Sequence, residues 1–179
     1  MYWKVQKVGP AEFLRAYGVH VALAFSLVCN LILFATAPKK SLPTEVKQNV
    51  EAFARQVTTH LLDTSYIVCE SNVTALVKEL APNVANMLRK EEMLPRTQQD
   101  LKALTMDMAE RKQICSVRID RVSAGDPDPK GLIPVEVSGV CAIHSASETG
   151  ERPFRFIYML GTIEGNLVVA DWRDLSPQG

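Results

Sequence analysis

Ile114-Cys-Ser-Val-Arg-Ile-Asp120 is where this 179-residue chain changes its periodicity. Cys115, Val117 and Ile119 alternate with Ser116, Arg118 and Asp120, the period-two pattern of a half-buried strand. Upstream, apolar residues recur at helical spacing; downstream they alternate. The boundary predicts an α+β chain with helices first and strands after, not the interleaved order that builds a parallel sheet.

Toward the C-terminus, Ala124-Gly-Asp-Pro-Asp-Pro-Lys-Gly131 is saturated with turn residues. Its aspartates match no calcium-loop spacing and two prolines crowd them, so a hairpin turn is expected and a metal site is not. The return strand places Ile133, Val135, Val137, Cys141 and Ile143 on one face, with Glu136, Ser138 and His144 on the other. After the polar turn 145–152, Pro153–Gly161 reads as a third strand with Phe154, Phe156 and Tyr158 facing one way. Glu164-Gly-Asn166 is a tight turn and Leu167–Trp172 a fourth strand. The sum is a four-stranded antiparallel meander.

Toward the N-terminus, Val46, Val50, Phe53, Val57 and Leu61 recur at steps of three and four. They predict a helix over 45–62 with Thr44 as its cap. Ser65–Cys69 is an apolar connector. Ser71 or Asn72 is expected to cap a second helix through Val73, Leu76, Val77 and Leu80. Pro82 breaks or restarts it, and Val84, Met87 and Leu88 carry the pattern on toward Pro95. Thr97 or Gln98 opens a third stretch with Leu101, Leu104 and Met108, ending near Lys112. Three helical segments packed on one face of a curved sheet are the expectation.

Further upstream, residues 17–37 form a 21-residue run without a charged side chain, and Tyr17, Val21, Phe25, Leu31 and Phe34 sample its length. A helix of that size, at ~1.5 Å per residue, matches a hydrocarbon core of ~30 Å. A buried core helix of this length would carry charges at its margins. A cleaved signal peptide is suggested by Ala35-Thr36-Ala37, but the run exceeds a signal h-region and Pro38 follows the candidate bond. An uncleaved anchor is therefore expected: leader 1–16, transmembrane helix 17–37, linker 38–43 and domain 44–179. Lys4, Lys7 and Arg15 before the run nearly balance Lys39, Lys40, Lys47 and Arg55 after it, so charge does not set the orientation. The short leader with Tyr2, Trp3 and Phe13 favours a cytoplasmic N-terminus. Within the run, Asn30 has two uses, bonding a neighbouring helix or its own preceding turn.

The 142 residues from Pro38 onward carry 17 basic and 19 acidic side chains, enough chain for one domain and no footprint for nucleic acid. No phosphate loop, dinucleotide glycine fingerprint, paired-cysteine zinc pattern or nucleophile elbow occurs. His20, His60 and His144 lack ligand spacing, and Asn72-Val73-Thr74 is an unspecific glycosylation match. No catalytic residue, cofactor or metal is expected. Cys115 and Cys141 fall on the same face of neighbouring strands. With Arg118 opposite Ser138 they would lie directly across from each other. With Arg118 opposite Glu136 they would be diagonal, too far for an unstrained bridge. Buried free thiols, a Cys115–Cys141 disulfide and a disulfide using Cys69 all stay open.

A single anchor precedes Leu76-Val-Lys-Glu-Leu-Ala-Pro-Asn-Val-Ala-Asn-Met-Leu88 and strands Val135-Glu-Val-Ser-Gly-Val140, Arg152-Pro-Phe-Arg-Phe-Ile-Tyr-Met-Leu160 and Gly165-Asn-Leu-Val-Val-Ala-Asp-Trp172. This layout resembles the TraE-type inner-membrane component of conjugative type IV secretion systems, related to the eighth VirB subunit with its NTF2-like periplasmic domain. The resemblance implies an inner-membrane scaffold with its C-terminal domain in the periplasm. Its implied partners are further copies of itself, other secretion subunits and membrane lipid. It carries no active-site residues over. NTF2-like cones also host enzymes and small-ligand carriers, for which Asp120, Tyr158 and Asp171 would have to meet on an inner face. An alignment subunit of another secretion machine would instead need a longer coiled coil than 44–62 allows.

Overall fold

The structure, a computed structural model, describes residues 42–147 and 149–177, with His20, Leu23 and residues 25–30. The chain divides into two compact units, Met1–Lys39 and Lys40–Gly179. In the first, residues 25–30 are helical, and Leu23, Phe25, Leu27 and Val28 are exposed. Asn30 Nδ2 donates to Ser26 Oγ at 3.4 Å, a local partner one turn back. Among the described residues no helix is long and apolar enough to cross a membrane. Most of the predicted span, including Tyr17, Val21, Leu31 and Phe34, lies outside the described residues, as do the leader and positions 38–41.

The second unit is α+β. Helices α1 (Thr44–Leu62), α2 (Cys69–Glu79), α3 (Pro82–Lys90) and α4 (Gln98–Glu110) precede strands β1 (Ile114–Ala124), β2 (Ile133–His144), β3 (Thr149–Ile163) and β4 (Asn166–Asp174). The strands form one sheet in the order β1-β2-β3-β4, each pair antiparallel. Helix α1 packs on β1 and β2, while α2 and α3 lie against β4.

The buried seam of α1 differs from the expected stripe. Val50, Ala54, Val57 and Thr58 are buried, Phe53 and Leu61 only partly so, and Val46 is exposed. Small Ala54 lets the helix approach the sheet, and the Thr58 hydroxyl is satisfied by donating to the Ala54 carbonyl at 2.8 Å. Glu51 Oε1 accepts from the Ala124 N–H at 3.1 Å, tying the helix to the end of β1.

Helix α2 starts at Cys69, so Ser71 and Asn72 lie inside it. Their side chains bond backward instead of capping: Ser71 Oγ to the Val68 carbonyl and Asn72 Nδ2 to that of Asp63. Pro82 splits the expected second helix in two and opens α3, where its missing N–H costs nothing. Between them Leu80 bridges Val169 in parallel, and the Ala81 N–H donates to the Val169 carbonyl at 2.9 Å, covering part of the β4 edge. Thr97 and Asp100 form a reciprocal capping box on α4. The loop 124–131 is a turn in which Asp128 Oδ1 accepts from the Lys130 and Leu132 N–H groups.

Neither expected β1–β2 register occurs, because Arg118 lies opposite Val140. Gly139 explains this. It sits opposite Ile119 and Phe154, and a Cβ there would overlap the Arg118 carbonyl oxygen and come within 2.8 Å of Phe154 Cζ. Only a residue without a side chain fits where the strands come this close, and that contact outranks an exposed charge pair. Glu136 instead accepts from Arg155 Nε at 2.8 Å across the β2–β3 ladder, and Arg118 pairs with Asp120 on its own strand. Asp120 forms the β1 bulge, and Ala170 is skipped in the same way between β3 and β4.

The sheet's inner face is aromatic. Phe154 and Phe156 stack at 5.3 Å between centroids, Phe156 meets Trp172 at 5.1 Å, and Tyr158 lies 6.4 Å from Trp172. With Leu76, Leu88, Leu160 and Val169 they form the buried core.

Candidate functional site

A groove of about 830 Å³ lies between the C-terminal end of α1 and the β2–β3 end of the sheet. Leu61, Leu62, Cys141, Ile143, Phe154 and Phe156 supply its apolar wall, and Glu151, Arg152 and Asp174 its charged part. Thr64, in the turn that follows α1, lines it as well.

Cys141 of that wall belongs to a cluster of cysteines. Cys69, Cys115 and Cys141 are all buried free thiols. Cys115 is opposite Ile143, and Cys141 opposite Val117, so the two are diagonal neighbours. Thr64 Oγ1 lies 3.1 Å from Cys115 Sγ and Gln113 Nε2 donates to the same sulfur at 3.7 Å, while Cys141 Sγ donates to the Leu62 carbonyl at 3.9 Å. The neighbouring Cys141 thiol does most to hold the Cys115 thiol below its ordinary range, assisted by Thr64 and Gln113 and opposed by burial. Cys115 in turn pushes the Cys141 thiol up, and burial adds to it; burial likewise raises Cys69.

Ser65 fixes this corner. Its hydroxyl oxygen accepts from the Cys115 N–H at 2.8 Å, capping an open donor at the β1 edge, and lies 3.2 Å from the Cys115 carbonyl oxygen. Asp63 Oδ1 holds Ser65 in turn, accepting from its N–H at 3.1 Å and taking its hydroxyl proton at 2.5 Å.

The three residues an enzyme of this type would need do not meet. Tyr158 is fully buried and bonded to Thr58 at 3.0 Å. Asp120 is exposed and paired with Arg118 at 3.0 Å. Asp171 is exposed, its carboxylate accepting from the Trp172 N–H. His144 ends a strand in solvent. No group of three or more metal-binding side chains occurs among the described residues.

Sequence reasoning missed one buried polar cluster. Glu79, almost wholly inside, accepts from Gln56 Nε2 at 2.6 Å and lies 2.9 Å from His60 Nδ1, clamping α2 to α1. A signal existed: Glu79 stands three residues after Leu76, in line with Cys69 and Val73 on the apolar stripe, where a carboxylate needs partners.

No family model matches this chain, and no curated protein matches it significantly. Among solved structures, the chain is similar to the crystal structure of the intermembrane space region of the chloroplast protein ARC6. That likeness covers 69% of this chain and 95% of the other, with 11% identity and a TM-score of 0.30. Similarity of that extent defines neither a fold family nor a function.

Proposed function

We propose that this protein is a bitopic inner-membrane scaffold of a conjugative type IV secretion channel, of the TraE type. Its NTF2-like domain is periplasmic and acts by self-association and by contact with other channel subunits. The observation that carries the reading is the layout: a 21-residue uncharged run, then helices, then a four-stranded antiparallel meander whose inner face is filled by Tyr158, Phe156, Trp172 and Leu160. Exposed Leu23, Phe25, Leu27 and Val28 on a helical segment suit a lipid environment. A filled interior, with Asp120 and Asp171 in solvent, supports a scaffold without catalytic turnover.

Deleting the gene from a host that conjugates tests this directly. Loss of DNA transfer, restored by the gene supplied in trans, is the expected result, together with cross-linked multimers in native membranes. Transfer at the wild-type rate overturns the reading. Resistance to alkaline carbonate extraction, and a periplasm-dependent reporter active when fused after Gly179, test the anchor and its orientation.

The 830 Å³ groove favours a second reading, a membrane-anchored carrier of a small apolar ligand. Native mass spectrometry separates the two, since a carrier co-purifies with a bound small molecule and a scaffold does not.

A further inference from the structure

A cavity of about 280 Å³ opens on the side of the domain away from the aromatic face, between α2, α3 and the lead into α4. Val73, Val77 and Leu101 form its apolar floor, and Lys78, Arg89 and Arg96 stand in its walls. No carboxylate lines it. In a chain with as many acidic as basic side chains, three cations around one small cavity, of which only Arg96 has a carboxylate partner, are a local excess of positive charge.

The nearby acceptors are already used or distant. Asp100 bonds the Thr97 N–H in the capping box that closes the helix end. Glu92 reaches Arg96 only at 3.9 Å, with both side chains largely in solvent. Lys78 makes no ion pair among the described residues. Arg89 donates from a terminal nitrogen to Asn86 Oδ1 at 3.3 Å, and Arg96 Nε donates to the Arg89 carbonyl at 3.3 Å. Arg89 Nε itself is shut off from solvent and has no acceptor among the described residues. A guanidinium carries five donors, and an oxyanion in the cavity would take terminal ones of Arg89 and Arg96 that are not already used.

We propose that this cavity is a binding site for a phosphoryl group carried on a compact organic body. A phosphate monoester offers three acceptor oxygens and close to two negative charges to three cationic walls, and a phosphodiester headgroup two free oxygens and one charge. The floor of Val73, Val77 and Leu101 takes the organic part. The phosphoryl group comes either from a soluble phosphate ester or from an anionic lipid headgroup.

The test follows the Arg89 Nε–H signal in proton–nitrogen NMR spectra of the full chain in non-ionic detergent micelles. Glycerol phosphate is the soluble probe, and short-chain phosphatidylglycerol the lipid probe, with phosphatidylcholine and sodium chloride as controls. The expected result is a saturable shift with glycerol phosphate, weakened at least fivefold in Lys78→Gln and in Arg96→Gln and unchanged in Lys102→Gln. Both exchanges fall on exposed side chains, so the fold survives them even if Arg89→Gln does not fold. A shift with glycerol phosphate alone assigns a soluble ligand; one with phosphatidylglycerol, but not phosphatidylcholine, assigns the headgroup. A signal that does not move, that moves equally with sodium chloride, or that responds undiminished in both variants overturns the proposal.

Discussion

Thr58 Oγ1 and Tyr158 OH lie 3.0 Å apart at the centre of the domain, one on α1 and one on β3, both excluded from solvent. The single Thr58 proton goes to the Ala54 carbonyl, so Tyr158 is the donor in this bond. The pair joins the helical layer to the sheet by a polar contact inside an otherwise apolar core. Burial raises the Tyr158 phenol far above its ordinary value, and the Thr58 bond offsets only part of that.

This sets a pH dependence. A phenol whose folded pKa is raised favours the neutral form, so its contribution is whole below the unfolded value of about 10 and is lost as the pH climbs above it. Denaturant unfolding at pH 8.5 and at pH 11 is expected to show a loss of stability that Tyr158→Phe reduces. At neutral pH the same substitution is expected to cost about 0.5–1.5 kcal/mol. Equal losses in both proteins between the two pH values would refute the assignment.

Gly139→Ala is expected to destabilise the domain by about 1–3 kcal/mol, since the added methyl overlaps the Arg118 carbonyl oxygen and presses on Phe154. Gly150→Ala, whose Cβ meets nothing within 4 Å, serves as the control and should leave the thermal midpoint nearly unchanged.

Leu76→Ala removes a wholly buried side chain of α2 and should cost about 2–5 kcal/mol. Phe53→Ala, only partly buried, should cost clearly less. The order of the two in urea unfolding is the measurement; the reverse order would mean that α1 turns its Phe53 face to the core.

Cys115 is expected to alkylate with a pH midpoint below the ordinary thiol value of about 8.5 when the other three cysteines are intact. Cys141→Ala removes the thiol that does most to lower it and should move the midpoint upward. Mass-resolved labelling by iodoacetamide across pH 5–10 reads both. A midpoint indifferent to Cys141 would show that this thiol does not lower it.

Much of the fold was legible because local patterns repeat. The alternation from Ile114 and the turn-forming loop at 124–131 located the strands. The steps through Val50 and Val57 located α1, and Thr97 or Gln98 marked the start of α4. Where two local signals competed, sequence reading failed. Ser71 looked like a cap but lies within α2, because the turn through Ser65 and Val68 starts that helix earlier. The Arg118–Glu136 pairing looked favourable but yields to the close approach at Gly139.

The sequence by itself determined the order of helices and strands, the faces of β2 and β3 and the uncharged run near the N-terminus, since each depends on neighbours a few positions away. Only the tertiary structure decided what Thr58 shares with Tyr158, what Glu79 shares with His60, and which sulfur Cys115 meets. It also brought Lys78, Arg89 and Arg96 around one cavity. Those meetings join residues up to 100 positions apart. Their distances depend on how α1 and α2 settle on the sheet, and no periodicity encodes that.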